Sequence, residues 1–185
     1  MPLKVSELVN SKIMIFGLNG TGKTYLAKYL SDFFKSFVIT LNAEEWSDKD
    51  VVVGKCVTIS DIEFWLNQYR NKFYTKCNCL ILDDFDVFFQ SHLQNLPVFS
   101  ELVFRNRHIG KGVTLIAITR RPQNIPTKYY EIFEHLVGFT IESTNVIDKL
   151  NEIYPSLGDI VKSLPYKSYQ FVWKSIGRKP FVGRV

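Results

Sequence analysis

Apolar residues along the chain gather in short, nearly unbroken runs, set apart by stretches in which they recur every three or four positions. Lys12 to Phe16, Phe37 to Leu41, Cys79 to Leu82, Val113 to Ile118 and Leu136 to Ile141 are the runs. They predict strands buried on both faces, as in a parallel sheet covered by helices. Helical spacing predicts helices over Lys23 to Lys35, Ser60 to Phe73, Pro97 to about Ile109 and Lys128 to Glu134. In the second of these, Ser60 and Glu63 read as a capping box, and Ile62, Trp65, Leu66, Tyr69 and Phe73 form an aromatic stripe facing the sheet. A later helix, capped by Ser143 or Thr144, carries Ile147, Leu150 and Tyr154 and stops at Pro155. Ser168 to Trp173 alternates as a strand, and Pro180 to Val185 reads as an edge strand. Asn42 to Asp50 and Phe85 to Asn95 read as a loop and as a helical turn with an exposed loop. Val51 to Val53 and Val57 to Ile59 suggest a short strand or hairpin. The fold class is therefore α/β, with a mostly parallel central sheet and helices on both faces, and the length suits one domain over 1–185.

The segment Gly17-Leu18-Asn19-Gly20-Thr21-Gly22-Lys23-Thr24 follows the first run and opens the first helix. It satisfies the phosphate-loop pattern G-x-x-x-x-G-K-[ST] in its required strand-then-helix context. Glycines at 17, 20 and 22 let backbone N–H groups close on a polyphosphate, and the helix start adds its own unpaired N–H groups. The nucleotide-binding residues expected are Gly17, Asn19, Gly20, Thr21, Gly22, Lys23, Thr24 and Tyr25. Lys23 reaches the terminal phosphates and Thr24 holds Mg²⁺. The strand Cys79 to Leu82 runs into Asp83-Asp84. This supplies a second Mg²⁺ residue, Asp83, and a carboxylate, Asp84, to orient or deprotonate the attacking water.

Charge changes the picture modestly. The net charge is +5, yet no acidic residue falls between Leu102 and Tyr130, where Arg105, Arg107, Lys111, Arg120, Arg121 and Lys128 lie. Glu44, Glu45, Asp48 and Asp50 cluster earlier. The asymmetry suits a basic face for a nucleic-acid backbone, or ordinary solvated charge. Cys56, Cys77 and Cys79 read as reduced core or strand residues, with Cys77-x-Cys79 a weak metal candidate. No apolar run reaches the roughly 18 residues of a transmembrane segment, and Met1 to Asn10 lacks a signal-peptide layout. The chain is expected not to be secreted.

The phosphate loop, Asp83-Asp84, and above all Arg107-His108-Ile109-Gly110 followed by Val113 to Thr119 and Arg120-Arg121-Pro122-Gln123-Asn124-Ile125-Pro126 resemble the FtsK/HerA superfamily of DNA-pumping ATPases. The resemblance spans Lys12 to Trp173. The compact viral members, genome-packaging ATPases of double-stranded DNA viruses, match in size. The resemblance implies a RecA/FtsK-like P-loop fold and a homo-oligomeric ring, usually a hexamer, with ATP between subunits. It also implies a trans-acting arginine, best matched by Arg107 with Arg105 as second choice. Where the family carries a glutamine after the fourth strand, this chain has Arg120 after Thr119, so sensing of the terminal phosphate passes to one of those two. The family's usual Asp-Glu is here Asp83-Asp84. The function implied is an ATP-driven double-stranded DNA motor in the host cytoplasm or on the virion, with capsid or virion-membrane proteins as further partners. Lys111, Arg121 and the segment Phe88 to Asn95 are its candidate DNA contacts. Two alternatives stand beside it: a small nucleoside or nucleotide kinase, and a nucleotide-dependent DNA-binding regulatory or structural protein that hydrolyses slowly. An AAA-type ATPase is disfavoured, because the chain returns to strands where that family places a helical lid.

Overall fold

The structure, a computed structural model, describes residues 4–89 and 91–185. Eight strands form one sheet: β1 (Lys12–Phe16), β2 (Ser36–Thr40), β3 (Val52–Lys55), β4 (Cys79–Leu82), β5 (Thr114–Thr119), β6 (His135–Gly138), β7 (Gln170–Ser175) and β8 (Phe181–Arg184). Their order is β3-β2-β4-β5-β1-β6-β7-β8. The first six are parallel, and β7 and β8 return antiparallel on the β6 edge. Every residue of β1, β2, β4, β5 and β6 is buried, which is why these strands read as unbroken apolar runs.

Alternate residues face opposite cores. Met14 and Phe16, Phe37 and Ile39, Leu80 and Leu82, and Leu115 and Ala117 join one cluster. Helices α2 (Ile59–Gln68), α3 (Pro97–Phe104), α4 (Thr127–Ile132), α5 (Thr144–Ile153) and α6 (Leu157–Ser163) contribute to it. Ile13, Ile15, Val38, Ile81, Ile116 and Ile118 face the other cluster, where α1 (Lys23–Ser31) lies with Trp46, Phe171 and Trp173.

Several element boundaries differ from the sequence reading. The α2 cap is Thr58, not Ser60: its Oγ1 accepts from the Asp61 N–H, and the Asp61 carboxylate accepts from the Thr58 and Val57 N–H groups at 2.7 and 2.9 Å. Asp serves as the reciprocal acceptor, two residues ahead of the Ser-x-x-Glu frame. Val57 to Ile59 thus enters a helix instead of forming a hairpin, and β3 is one strand parallel to β2. The stripe ends in a π-helical turn, Tyr69–Phe73, with Phe37 against Trp65, Tyr69 and Phe73. Helix α3 stops at Phe104, and α1 at Ser31. The segment read as a helical turn with an exposed loop after Asp84 does turn helically at Phe85–Phe89, but the part read as loop holds a second 3-10 turn, His92–Asn95, and Phe85, Phe88 and Leu93 are buried beside Phe99 and Phe133. Gln90, part of the suggested DNA-contact segment, lies outside the described residues.

Candidate nucleotide-binding site

The loop between β1 and α1 turns at Gly17, Gly20 and Gly22, with φ of 148°, 70° and 106°. A Cβ on Gly17 would meet the Phe139 Cβ at 2.6 Å, so this turn accepts only glycine. Gly22 is the N-cap of α1, and the Lys23 Nζ donates to the Leu18 carbonyl at 2.6 Å, folding the lysine back over its own loop. The Thr21 hydroxyl donates to the same carbonyl.

Beside this loop opens a cavity of about 700 Å³, within the range of nucleotide-sized sites, lined by Lys23, Thr24, Tyr25, Asp83, Asp84 and Arg120 among others. Strand β5 separates β1 from β4, so the carboxylates after β4 face the phosphate loop across one strand. Asp83 Oδ2 accepts from the Thr40 hydroxyl at 3.3 Å and the Trp46 indole N–H at 3.2 Å. Burial, joined by the neighbouring Asp84 charge, pushes Asp83 up to about 6. Burial also lowers Lys23 to about 8, with Arg120 adding to the effect and both aspartates opposing it. Asp84 sits at φ 58°, a left-handed position, and its Oδ1 accepts from Arg120 Nε at 2.8 Å and Nη2 at 2.5 Å.

The expected residues separate into four groups. The loop residues, Thr24, Tyr25, Asp83, Asp84 and Arg120 meet at the C-terminal ends of the parallel strands. Thr119 is fully buried there, and its hydroxyl donates to Asp86 Oδ1 at 2.9 Å instead of facing the cavity. Arg107 lies beyond the opposite ends, sharing a second cavity with Ser11 and His135, and its guanidinium meets Glu134 Oε1 at 2.6 Å. With β1 roughly 16 Å long, one chain cannot bring Arg107 to its own phosphate loop. Lys111 precedes β5 and Arg121 follows it, so the two candidate DNA contacts stand at opposite ends of one strand.

The oxygen donors of Thr24 and Asp83 fit Mg²⁺, a hard cation that takes oxygen ligands. Among the described residues no group of three or more His, Cys, Asp or Glu is placed to hold a metal, and Cys77-x-Cys79 gains no further ligand there. Burial pushes the Cys79 thiol up to about 12, and all three cysteines are free and buried.

The sequence reading missed Trp46, Thr40 and Asp86, which hold Asp83 and Thr119. It also missed Tyr169, which lines the cavity from the turn before β7. Asp86 alone had a local signal, its position two residues beyond Asp84.

Residues 13–141 match the model of the ATPase family associated with various cellular activities (AAA). The chain belongs to this family. The match corrects the sequence argument against an AAA-type ATPase: it covers the nucleotide-binding core and ends before α5, α6 and the β7–β8 hairpin that prompted the objection. No curated protein sequence matches the chain. Among solved structures, the genome packaging NTPase B204 from Sulfolobus turreted icosahedral virus 2 in complex with AMPPCP is similar, with TM-score 0.79 and 18% identity over 95% of this chain and 98% of that one. B204, the DNA-packaging ATPase from Sulfolobus Turreted Icosahedral Virus, gives 0.75 and 17% over 95% and 98%. The cytoplasmic domain of the Thermomonospora curvata Type VII Secretion ATPase EccC gives 0.63 and 14% over 91% of this chain and 24% of that one. At these identities the likeness is one of fold, and it agrees with the FtsK/HerA resemblance read from the Arg-rich turn. The chain is an AAA-type ATPase with the fold of a viral genome-packaging NTPase, and no helix among the described residues is long and apolar enough to cross a membrane.

Proposed function

We propose that this ATPase is a motor that hydrolyses ATP to move double-stranded DNA into a viral particle, working as a ring of copies. One observation carries the reading: Lys23, Asp83, Asp84 and Arg120 converge on one cavity while Arg107 stands at the other end of the sheet, away from its own phosphate loop. Lys23 and the loop N–H groups bind the β- and γ-phosphates. Thr24 and Asp83 would hold Mg²⁺, which neutralises charge on the phosphate oxygens. Asp84 orients the attacking water and accepts its proton once Arg120 leaves Oδ1 for the γ-phosphate. Arg120 thereby takes the place of the family's glutamine, while Thr119, tied to Asp86, fixes the strand end beneath it. Arg107 of the adjacent copy neutralises charge developing in the transition state. DNA is gripped through phosphates by exposed basic residues such as Lys111 and Arg121, without sequence preference and with strong salt dependence. Capsid or virion-membrane proteins would anchor the ring in the host cytoplasm or at the virion.

The test is ATP hydrolysis by the purified protein with and without double-stranded DNA, at low and moderate salt, together with its mass in solution. Stimulation that fades with salt, from an oligomer, is the expected result. Slow turnover indifferent to DNA would overturn the motor reading. That result would favour the nucleotide-dependent DNA binder, which the Arg120 hold on Asp84 also fits. Membership in an ATPase family, and an Arg120 engaged with Asp84, leave the kinase reading without support.

A further inference from the structure

We infer that Tyr169, together with Tyr25, is the platform on which the base of the nucleotide stacks. The inference rests on the nucleotide reading above and adds the part of the ligand that the phosphate loop does not touch. The sheet order sets the direction of the bound polyphosphate. Strands β5 and β4 lie on one side of β1, and β6, β7 and β8 on the other. Asp83, Asp84 and Arg120 follow β4 and β5, so the terminal phosphate points that way and the nucleoside leaves over the first turn of α1 toward β7.

Two aromatic rings wait on that side. Tyr169 and Tyr25 line the same cavity as Lys23 and Thr24, and they are 46% and 66% exposed. The Tyr169 ring stands over the helix start: a Cβ built on Gly22 would meet its Cδ1 at 3.2 Å. Its backbone has φ 59°, a left-handed conformation that bulky residues rarely adopt. The surroundings hold it there. The Val185 N–H donates to the Tyr169 carbonyl at 3.1 Å, and the nearby Tyr166 hydroxyl donates to the Asn19 carbonyl at 3.3 Å, tying this turn to the phosphate loop. Strain that its neighbours enforce is typical of ligand clamps. A phenol ring in this position offers a π face, which suits any planar base and needs no edge-specific hydrogen bonds. Glu44 and Glu45 line the cavity too, but they follow β2, beyond β4, on the terminal-phosphate side.

The test compares ATP with inorganic tripolyphosphate by calorimetric titration of the full chain. Tyr169→Ala is expected to weaken ATP about tenfold and to leave tripolyphosphate unchanged, with Tyr169→Phe binding both like the wild type. ATP and GTP are expected to lose affinity alike. An equal loss for ATP and tripolyphosphate would overturn the inference, because Tyr169 would then only shape the loop; so would no loss for either. Weakened ATP binding in Glu45→Gln with Tyr169→Ala unaffected would place the base on the acidic rim instead. A wild-type protein that binds neither ligand would overturn the nucleotide reading itself, a failure distinct from the others.

Discussion

At the C-terminal ends of the parallel strands Lys23, Asp83, Asp84 and Arg120 share one cavity, and burial there lowers Lys23 to about 8 and raises Asp83 to about 6. At the N-terminal ends Arg107 rests on Glu134 and Arg178 on Glu7, and the Arg178 hydrogen bonds hold the Glu7 carboxyl below its usual range. The first set is crowded and partly desolvated, in a state that a polyphosphate with a divalent cation would relieve. The second is paired near solvent and costs the fold little. Charges kept under such stress mark where ligand chemistry happens, whereas paired surface charges become useful only when another copy draws them away.

The largest test of this contrast is Lys23→Ala. With the only lysine of the phosphate loop removed, ATP hydrolysis is expected to fall by about two to three orders of magnitude, measured as phosphate release. Unchanged turnover would mean that the cavity is not the reaction site. Asp84→Asn comes next. It keeps the side-chain volume and an oxygen for Arg120, so ATP affinity is expected to hold while turnover drops about 100-fold. Full activity would move the base elsewhere.

The opposite end is broken differently. Arg107→Ala subunits retain an intact phosphate loop, and Lys23→Ala subunits retain an intact Arg107. Mixed rings therefore contain some boundaries with both, and partial recovery of hydrolysis is expected relative to either variant alone. No recovery in rings shown by mass to be mixed would count against a role in trans.

The two ends were unequally legible in the sequence, for a physical reason. Gly17 to Thr24 is one continuous loop whose backbone does the work, and Asp83-Asp84 ends a fully buried strand, so both sites announce themselves locally. Trp46 and Thr40 act on Asp83 from about 40 residues away, through a sheet order that pairs β2 with β4 and that hydrophobic spacing does not encode. Tyr169 was invisible for the same reason, since an aromatic residue in a polar turn signals nothing until the fold sets it over Gly22. The Arg107–Glu134 contact likewise needs β1, β5 and β6 side by side. The parallel core was readable because burial on both faces leaves unbroken apolar runs. The α2 cap was placed two residues late because Asp61, not Glu63, closes the box.

The smallest expected effect concerns Asp83, and its sign separates a stressed charge from a paired one. Its folded-state pKa, about 6, lies above the unfolded reference of 3.8, so the native state holds the proton more tightly between those values. Stability is therefore lost as pH rises from about 4 to 6, by at most about 3 kcal/mol, and nothing is lost below pH 4, where the group is protonated in both states. Asp83→Asn removes the charge and keeps an oxygen for the Thr40 and Trp46 donors. In the absence of Mg²⁺ and nucleotide, the variant is expected to melt several degrees above the wild type at pH 8 and to match it near pH 4. Adding Mg²⁺ with ATP should reverse the order at pH 8, since only the wild-type carboxylate gains a cation. Equal melting at both pH values would show that the buried Asp83 charge costs the fold nothing, and the contrast between the two ends would fail.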